Sequence, residues 1–457
     1  MRYWPLPPPS PIGREPIRRW NKSTCEMENE KKHILIGSSP YGSLPTGEGG
    51  GRGHRARKLM VLGGNIVQME ATLEAKRQAY YVISADLHED NPGHKVADEY
   101  CKVDIVDKEA VLREAKRLGI DGIVPYSSDT LAPIAAYVAE EMGLPGNPYK
   151  AVCTLTHKDL FRKFLTDNGF NAPWSDSFTN LDEAIIYFRE QGKEGCKAIM
   201  KPVDSAGSRG VFAIANEEDL KEHWEESLSY SICGRVIIEQ FIEKVGHQLD
   251  GDVFLDNGKI IFAGFCDQHH VAGKSSLVPV SLSFPSELSW ELKRKAVDEL
   301  QRIFSLLGMK TGPCNVEFVV GKDGEIYFLD LGPRNGGCNI PYLEQEATGF
   351  KENLYTVRAA IGDELPKRDK VLCDNTKYVM YYRPYANENG RYKELWMSDY
   401  FRNKVINITH LMNIGDEIQL THNGNDTVAV VFAKFDNQQE MLETIENMSE
   451  HLRVITE

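Results

Sequence analysis

Residues 314–337 read CNVEFVVGKDGEIYFLDLGPRNGG. The apolar runs on either side of GKDG predict two adjacent antiparallel strands joined by a tight turn. Each run contains one acidic residue, Glu317 in the first and Asp330 in the second. A buried carboxylate is costly unless a cation or a hydrogen-bond donor meets it. Because Mg²⁺ prefers oxygen ligands, the two strands predict a magnesium site.

Arg334 follows the second strand and is placed to meet anionic oxygens. An internal ion pair between Arg334 and one of the two acids is the structural alternative, because a buried charge of either sign needs a partner.

A lysine and a glycine-rich loop lie upstream. Residues 198–216, AIMKPVDSAGSRGVFAIAN, predict a strand, a loop and a second strand, with Lys201 at the end of the first. The small residues of DSAGSRG let backbone N–H groups approach phosphate oxygens. The segment therefore indicates a phosphate-binding loop, and a plain hairpin with a mobile tip is the alternative.

From Lys58 onward, apolar runs alternate with helical patterns. KLMVLGGN, YYVISADLH and DGIVPYSSD are the apolar runs, and the alternation predicts a doubly wound parallel sheet. The ligand crevice of such a sheet lies at the carboxyl ends of its strands, where Gly63, Gly64, Asn65 and Asp129 fall. LGGN does not match GxGxxG, which disfavours a nicotinamide oxidoreductase.

Composition excludes several other classes. Lys and Arg total 53 against 67 Asp and Glu, a net charge of −14, and an acidic surface disfavours nucleic acid as a partner. Apolar runs fall short of the roughly 20 residues that a membrane span needs. The nine cysteines are scattered and form no CxxC pair, which favours reduced thiols in the cytoplasm.

Five sequence features occur in one order: Lys158, KPVDSAGSRGV, IIEQFI, NVEF and LDLGPRNGG. Together they resemble the ATP-grasp superfamily, which includes carboxylate–amine ligases and the biotin-carboxylase-like and carbamoyl-phosphate-synthase-like proteins. The resemblance runs from Lys58 nearly to the C-terminus.

The resemblance implies a fold that combines α/β and α+β parts. The expected parts are a flexible leader over 1–57, a Rossmann-like pre-ATP-grasp domain over 58–148, a two-subdomain ATP-grasp domain over 149–363 with its lid at about 175–238, and a small C-terminal α+β domain over 364–457. The Pro-rich and Gly-rich composition of residues 1–57 supports the leader.

The resemblance also implies the roles of individual residues. Those expected at the site are Lys158 and Lys201 on the nucleotide phosphates, Gly207, Ser208 and Gly210 in the lid loop, Glu239, Phe241 and Ile242 around adenine, Glu317 and Asp330 on magnesium, and Arg334 on the transferring phosphoryl group. Arg334 and Lys201 are the expected catalytic residues.

Two positions depart from the family pattern. Where the family reads acid–x–Asn–Pro–Arg, this chain has Gly332 in place of Asn, and Asp330 in place of the usual, longer Glu. Gly332 offers no side-chain oxygen to a second metal, so Asn335 or water would fill the gap, or one metal alone would bind tightly. Gln248 stands where relatives often have a glutamate.

The expected function is an ATP-dependent ligase that uses Mg²⁺, with Mn²⁺ as an alternative. It would activate a carboxylate as an acyl phosphate, join it to an amine, and release ADP and phosphate. A bicarbonate-activating carboxylase or carbamoyl-phosphate-like enzyme stays open, and Gly332 keeps a non-catalytic ATP-binding module open. The expected partners are small-molecule acids and amines and, through the C-terminal domain, a second copy in a homodimer.

Overall fold

The computed structural model describes residues 55–191, 197–205, 207–270, 279–373, 376–418 and 427–457. The predicted leader, 1–57, lies outside the described residues except for its last three positions. Within the described ranges, no helix is long and apolar enough to cross a bilayer.

The first part of the described chain folds as alternating strands and helices. Its elements are β1 Lys58–Leu62, α1 Ile66–Arg77, β2 Tyr81–Asp86, a short 3₁₀ helix Pro92–Lys95, β3 Glu99–Lys102, α2 Lys108–Leu118, β4 Gly122–Val124 and α3 Ala132–Met142. The strands pair in the order β3-β2-β1-β4, and every pair is parallel. The predicted parallel sheet is confirmed.

A four-stranded antiparallel sheet follows, here called the small sheet. The elements of this region are α4 Tyr149–Thr156, α5 Lys158–Asp167, β5 Ser175–Phe178, α6 Leu181–Gln191, β6 Ala198–Pro202, β7 Phe212–Ile214, α7 Glu217–Ser229 and β8 Val236–Gln240. The strand order is β5-β8-β6-β7. β6 and β7 pair with Ala198 opposite Ile214, so the predicted strand, loop and strand are confirmed. Helices α6 and α7 cover one face through an apolar cluster that includes Met200 and Trp224.

The next strands form most of a second antiparallel sheet, here called the large sheet. The elements are β9 Lys244–Asp250, β10 Asp252–Asp256, β11 Lys259–Ala263, β12 Cys266–His270, β13 Pro279–Phe284, α8 Trp290–Leu307, β14 Gly312–Gly321, β15 Ile326–Gly332, α9 Ile340–Thr348 and α10 Glu352–Ile361. β14 and β15 are antiparallel neighbours with Glu317 opposite Asp330, as predicted.

The C-terminal elements are β16 Tyr378–Tyr382, β17 Gly390–Met397, α11 Asp399–Arg402, β18 Val405–His410, β19 Glu417–Ile418, β20 Ala429–Phe435, α12 Gln438–Glu446, α13 Met448–His451 and β21 Leu452–Thr456. Strands β16, β20 and β18 continue the large sheet, whereas β19, β17 and β21 form a sheet of their own. β16 pairs with β13, and β20 and β18 follow in order. The predicted boundary near residue 364 would therefore divide the strands of one sheet between two domains. The domain limits stay predictions.

Helix α10 returns to the first sheet and joins the parts. Val357 and Ile361 share an apolar cluster with Leu59 and Val61 of β1. Gly122 of β4 packs so closely on this helix that a Cβ there would overlap the carbonyl oxygen of Ala360. This packing brings the loop after β4 against the end of β15, where the candidate site lies.

Candidate active site

Helix α5 carries two cations on one face. Lys158 begins the helix and Arg162 lies four residues on, so both point the same way. The Nζ of Lys158 donates to the carbonyl oxygen of Ser205 at 3.1 Å and lies 3.2 Å from Oδ1 of Asp330. Burial alone would lower the pKa of Lys158, but the carboxylates of Asp330 and Asp129 raise it. Lys158 thus links the glycine loop to β15 as a fixed positive charge.

A buried ion network lies beside Lys158. Glu239 of β8 accepts from Nε of Arg162 at 2.9 Å through one oxygen, and its other oxygen lies 2.7 Å from Nζ of Lys201. Arg162, Glu239 and Lys201 are 1%, 4% and 6% exposed, so solvent screens these pairs little. Arg162 also donates to the carbonyl oxygens of Phe328 and Leu329 at 3.3 and 2.7 Å. One carboxylate therefore connects α5, β6 and β8, and Arg162 extends the connection to β15.

The charge of Glu239 is stabilised by its two partners. Burial would raise its pKa, but Arg162 and Lys201 together hold the pKa of Glu239 below its usual range. Since both oxygens are engaged by cations, Glu239 positions Lys201, and its predicted place beside adenine stays a prediction. Phe241 and Ile242 follow β8 directly and are half-buried. The backbone N–H of Phe241 donates to the backbone carbonyl oxygen of Lys197 at 3.1 Å. Their adenine contact also stays a prediction.

Asp330 offers an open carboxylate next to these cations. Burial would raise its pKa, but Lys158, Lys201 and Arg162 lower the pKa of Asp330 to about 2. Its side chain is nevertheless 40% exposed. Asp330 is therefore an ionised carboxylate that a cation can reach.

Glu317 faces Asp330 across the β14–β15 pair. One of its oxygens accepts from Nε2 of Gln248 at 2.8 Å. Burial, together with the neighbouring carboxylates Asp250 and Asp330, raises the pKa of Glu317 to about 8. A divalent cation would remove this repulsion, and two carboxylates are the oxygen donors that Mg²⁺ takes. The residues therefore fit a magnesium ion.

The glycine loop turns sharply after Lys201. Gly207, Ser208 and Gly210 all have positive φ, at 70°, 57° and 70°, while residue 206 lies outside the described part of the chain. A Cβ on Gly210 would lie 2.9 Å from the ring of Tyr230, so packing and conformation both require glycine there. A Cβ on Gly207 would meet nothing within 4 Å, which leaves that side of the loop open.

Arg334 makes a two-pronged ion pair with the first part of the chain. Its Nε and Nη2 donate to the two oxygens of Asp129 at 2.9 and 2.6 Å. Burial would lower the pKa of Arg334, but Asp129 raises it. Arg334 therefore pairs with Asp129, from the loop after β4, and not with Glu317 or Asp330 as the structural alternative had it. Ser127 of the same loop donates to the carbonyl oxygen of Gly336 at 2.8 Å.

Residues 195–341 match the sequence model of the ATP-grasp domain family. The matched range contains Lys201, the glycine loop, Glu239, the two acids and Arg334. This part of the chain is similar to ATP-grasp domains. Lys158 and Asp129, which contact that domain's charged groups, lie before the matched range.

Three known proteins are similar to a larger part of this chain. The carbamoyl phosphate synthase large chain of Vibrio cholerae is 24% identical over 329 residues, which cover 68% of this chain and 30% of that protein. This chain thus spans less than a third of that relative's length.

Two of the three are solved structures. The L-amino acid ligase from Bacillus licheniformis superposes with a TM-score of 0.74 at 19% identity, over 89% of this chain and 100% of that one. The second structure is the biotin carboxylase domain of 2-oxoglutarate carboxylase from Hydrogenobacter thermophilus, in complex with MgADP, ADP and bicarbonate. It has a TM-score of 0.67 at 17% identity, over 88% of this chain and 92% of that one. These structures establish the shared fold.

The packing around Gly332 gives a steric reason for a glycine at this position. A Cβ at this position would overlap Oδ1 of Asp129 and would lie 2.9 Å from Cζ of Arg334. The space that a side chain at 332 would need is therefore taken by the Asp129–Arg334 pair. Gly332 is a consequence of how the first sheet docks on β15.

Sequence reasoning missed Arg162, and it noted Asp129 only as a strand-end residue. A local signal existed for Arg162: it shares the apolar face of α5 with Phe161 and Leu165, where an arginine needs a buried partner. No local signal pairs Asp129 with Arg334, because 205 residues separate them.

Glu239→Gln tests the buried network. The substitution leaves Arg162 and Lys201 without their shared negative charge, and breaking a buried pair costs about 3–5 kcal/mol. We expect the free energy of unfolding in urea to fall by that amount. Glu243→Gln is the matched control, because Glu243 pairs with Lys322 at the exposed surface, and it should leave the unfolding midpoint unchanged. Equal losses of unfolding free energy in the two variants would contradict the proposal that the buried network holds the site together.

Gly332→Ala tests the packing at β15. The added methyl group should separate Asp129 from Arg334 and lower the free energy of unfolding. Truncating Asp129 to alanine should remove most of this loss. A double-mutant cycle of Gly332→Ala with Asp129→Ala, read by urea unfolding, should give a coupling energy of about 1–3 kcal/mol. Gly337→Ala is the control, since a Cβ there meets nothing within 4 Å. Additive costs in the cycle would show that the two sites do not compete for space.

Proposed function

We propose that this chain is a magnesium-dependent ligase that activates a carboxylate with ATP and joins it to an amine, releasing ADP and phosphate. The observation that carries the proposal is Asp330. It is an ionised, partly exposed carboxylate beside Lys158 and opposite Glu317. Such a set of acids and lysines beside a glycine loop suits phosphoryl transfer, in which positioning and electrostatics do most of the catalysis.

MgATP, when bound, supplies the phosphoryl group that turns the carboxylate into an acyl phosphate. Lys158 and Lys201 hold positive charge where the phosphates would lie, and Glu239 with Arg162 keeps Lys201 from reorienting. The loop with Gly207, whose outer side is open, would close over the phosphates and exclude water.

Glu317 and Asp330 would hold the metal. Gln248 orients the carboxylate of Glu317 through its hydrogen bond. Asn335 is 1% exposed, and its amide nitrogen donates to Glu352 and Thr356 at 2.8 and 2.9 Å. These bonds hold its side chain in the core. With Gly332 offering no side-chain oxygen, we favour one tightly held metal.

Arg334 would stabilise charge on the transferring phosphoryl group, and Asp129 positions it. Because Asp129 belongs to the loop after β4, the carboxyl edge of the first sheet faces this charged group. We place the acid substrate between that edge, at Gly63–Asn65, and the metal ligands. The L-amino acid ligase among the relatives supports an acid and an amine as the two substrates.

We place the reaction in the cytoplasm, with a homodimer as the proposed assembly. The cysteines that the structure describes are free, which supports a reducing compartment.

ADP release from MgATP tests the proposal. Purified full-length protein is offered a panel of carboxylates with and without amines, and ADP is measured by a coupled assay. Release should require both an acid and an amine. Asp330→Asn should lower the rate at least about 100-fold, because the isosteric amide removes a metal ligand and its charge. Asp323→Asn, at the exposed turn of the same strand pair, should keep the rate.

Three other outcomes would redirect the proposal. Release with bicarbonate alone would assign the chain to the carboxylase-like branch, for which the bicarbonate-bound relative is a precedent. MgATP binding with no release across the panel would favour a non-catalytic module. An unchanged rate in Asp330→Asn would contradict the metal assignment.

A further inference from the structure

A second group of carboxylates lies behind the connection from β15 to α9. Asp252 of β10, Glu344 of α9 and Glu352 of α10 are 0%, 0% and 1% exposed. One oxygen of each lies within 4.8 Å of the others. None of the three is a residue of the proposed nucleotide site, so the proposed ligase reaction does not account for them.

Two oxygens in this group have no N–H or hydroxyl donor. They are Oε2 of Glu344 and Oε2 of Glu352, and both are buried. Burial and the neighbouring carboxylates raise the pKa of both glutamates, and the side chain of Glu352 also contacts that of Asp252. Among the described residues, the three carboxylates form no ion pair with lysine or arginine, and Arg334 nearby is already paired with Asp129. Buried carboxylates without a cation or donor are strongly destabilising, so the group needs an occupant.

The remaining oxygens are held by donors that fix their orientation. Asp252 accepts from the backbone N–H of Gly336 at 2.7 Å and from Nδ2 of Asn315 at 3.0 Å. Oε1 of Glu344 accepts from the backbone N–H of Asp252 at 3.0 Å. Oε1 of Glu352 accepts from Nδ2 of Asn335, and neither Oε2 atom has an N–H or hydroxyl donor. Outer donors that orient carboxylates in this way are typical of metal ligands.

Glycines let the backbone approach the group. A Cβ on Gly264 would overlap Oε1 of Glu344, and a Cβ on Gly336 would lie 2.8 Å from Oδ1 of Asp252. The space is therefore small and lined by oxygens. Two oxygens at the roughly 2.0–2.6 Å from a shared ion that Mg²⁺ and Ca²⁺ require lie at most about 4–5 Å apart. The oxygens of this group all lie within 4.8 Å of one another, so their spacing is of the size that one ion needs.

We propose that Asp252, Glu344 and Glu352 bind a hard divalent cation, Mg²⁺ or Ca²⁺, separate from the ion at Glu317 and Asp330. The cation would tie β10 to α9 and α10. Through Gly336 and Asn335 it would also fix the loop that carries Arg334. In the alternative, no metal ion binds and the three carboxyl groups share protons instead.

The test uses the full chain with Glu317→Gln and Asp330→Asn, without nucleotide, so that its result does not depend on ligase activity. After dialysis against a chelator, Mg²⁺ and Ca²⁺ are titrated in separate calorimetric arms. We expect about one ion per chain to bind in at least one arm, with a higher unfolding temperature. Adding Glu344→Gln and Glu352→Gln should abolish saturable binding, whereas Glu346→Gln on the same helix should not.

Two results would overturn the proposal: no saturable binding in either arm, or binding that survives the paired substitutions. If the paired variant does not fold, crystals of the intact protein soaked with Mn²⁺ decide. An anomalous peak among Asp252, Glu344 and Glu352 supports the site, and a peak confined to Glu317 and Asp330 contradicts it.

Discussion

The buried carboxylate of Glu239 is the constraint on which the candidate site depends. It holds Arg162 on one oxygen and Lys201 on the other, and Arg162 reaches the backbone of β15. A buried ion pair of this kind adds little net stability over apolar packing, because desolvation offsets its attraction. Its effect is positional. Lys201 on the small sheet, Lys158 on α5 and Asp330 on the large sheet are held in one charged cluster, which the proposed binding of phosphates would use.

A second constraint connects this cluster to the first sheet. Asp129 occupies the space beside Gly332 and holds Arg334 through both of its oxygens. The departure from the family pattern at Gly332 thus has a steric reason. The acid group behind this loop, Asp252 with Glu344 and Glu352, would make the position of Arg334 sensitive to a cation outside the nucleotide site.

Local patterns were sufficient to predict the elements of the site. Alternation of apolar residues around GKDG predicted the pair of strands that carries Glu317 and Asp330, and the small residues after Lys201 predicted its loop. Partners distant in sequence could not be predicted. Arg162 meets Glu239 across 77 residues, and Arg334 meets Asp129 across 205. The continuation of the large sheet into β16 was missed for the same reason, because strand pairing over about a hundred residues leaves no periodic signal.

In the proposed reaction, the carboxylate reacts with the γ-phosphate of ATP before the amine takes part. Positional isotope exchange measures this order, with ATP carrying ¹⁸O in the β,γ-bridge and an acid found to support ADP release. We expect the label to move to the β-nonbridging position when the acid is present and the amine is absent. Exchange without any acid, or no exchange until the amine is added, would contradict it.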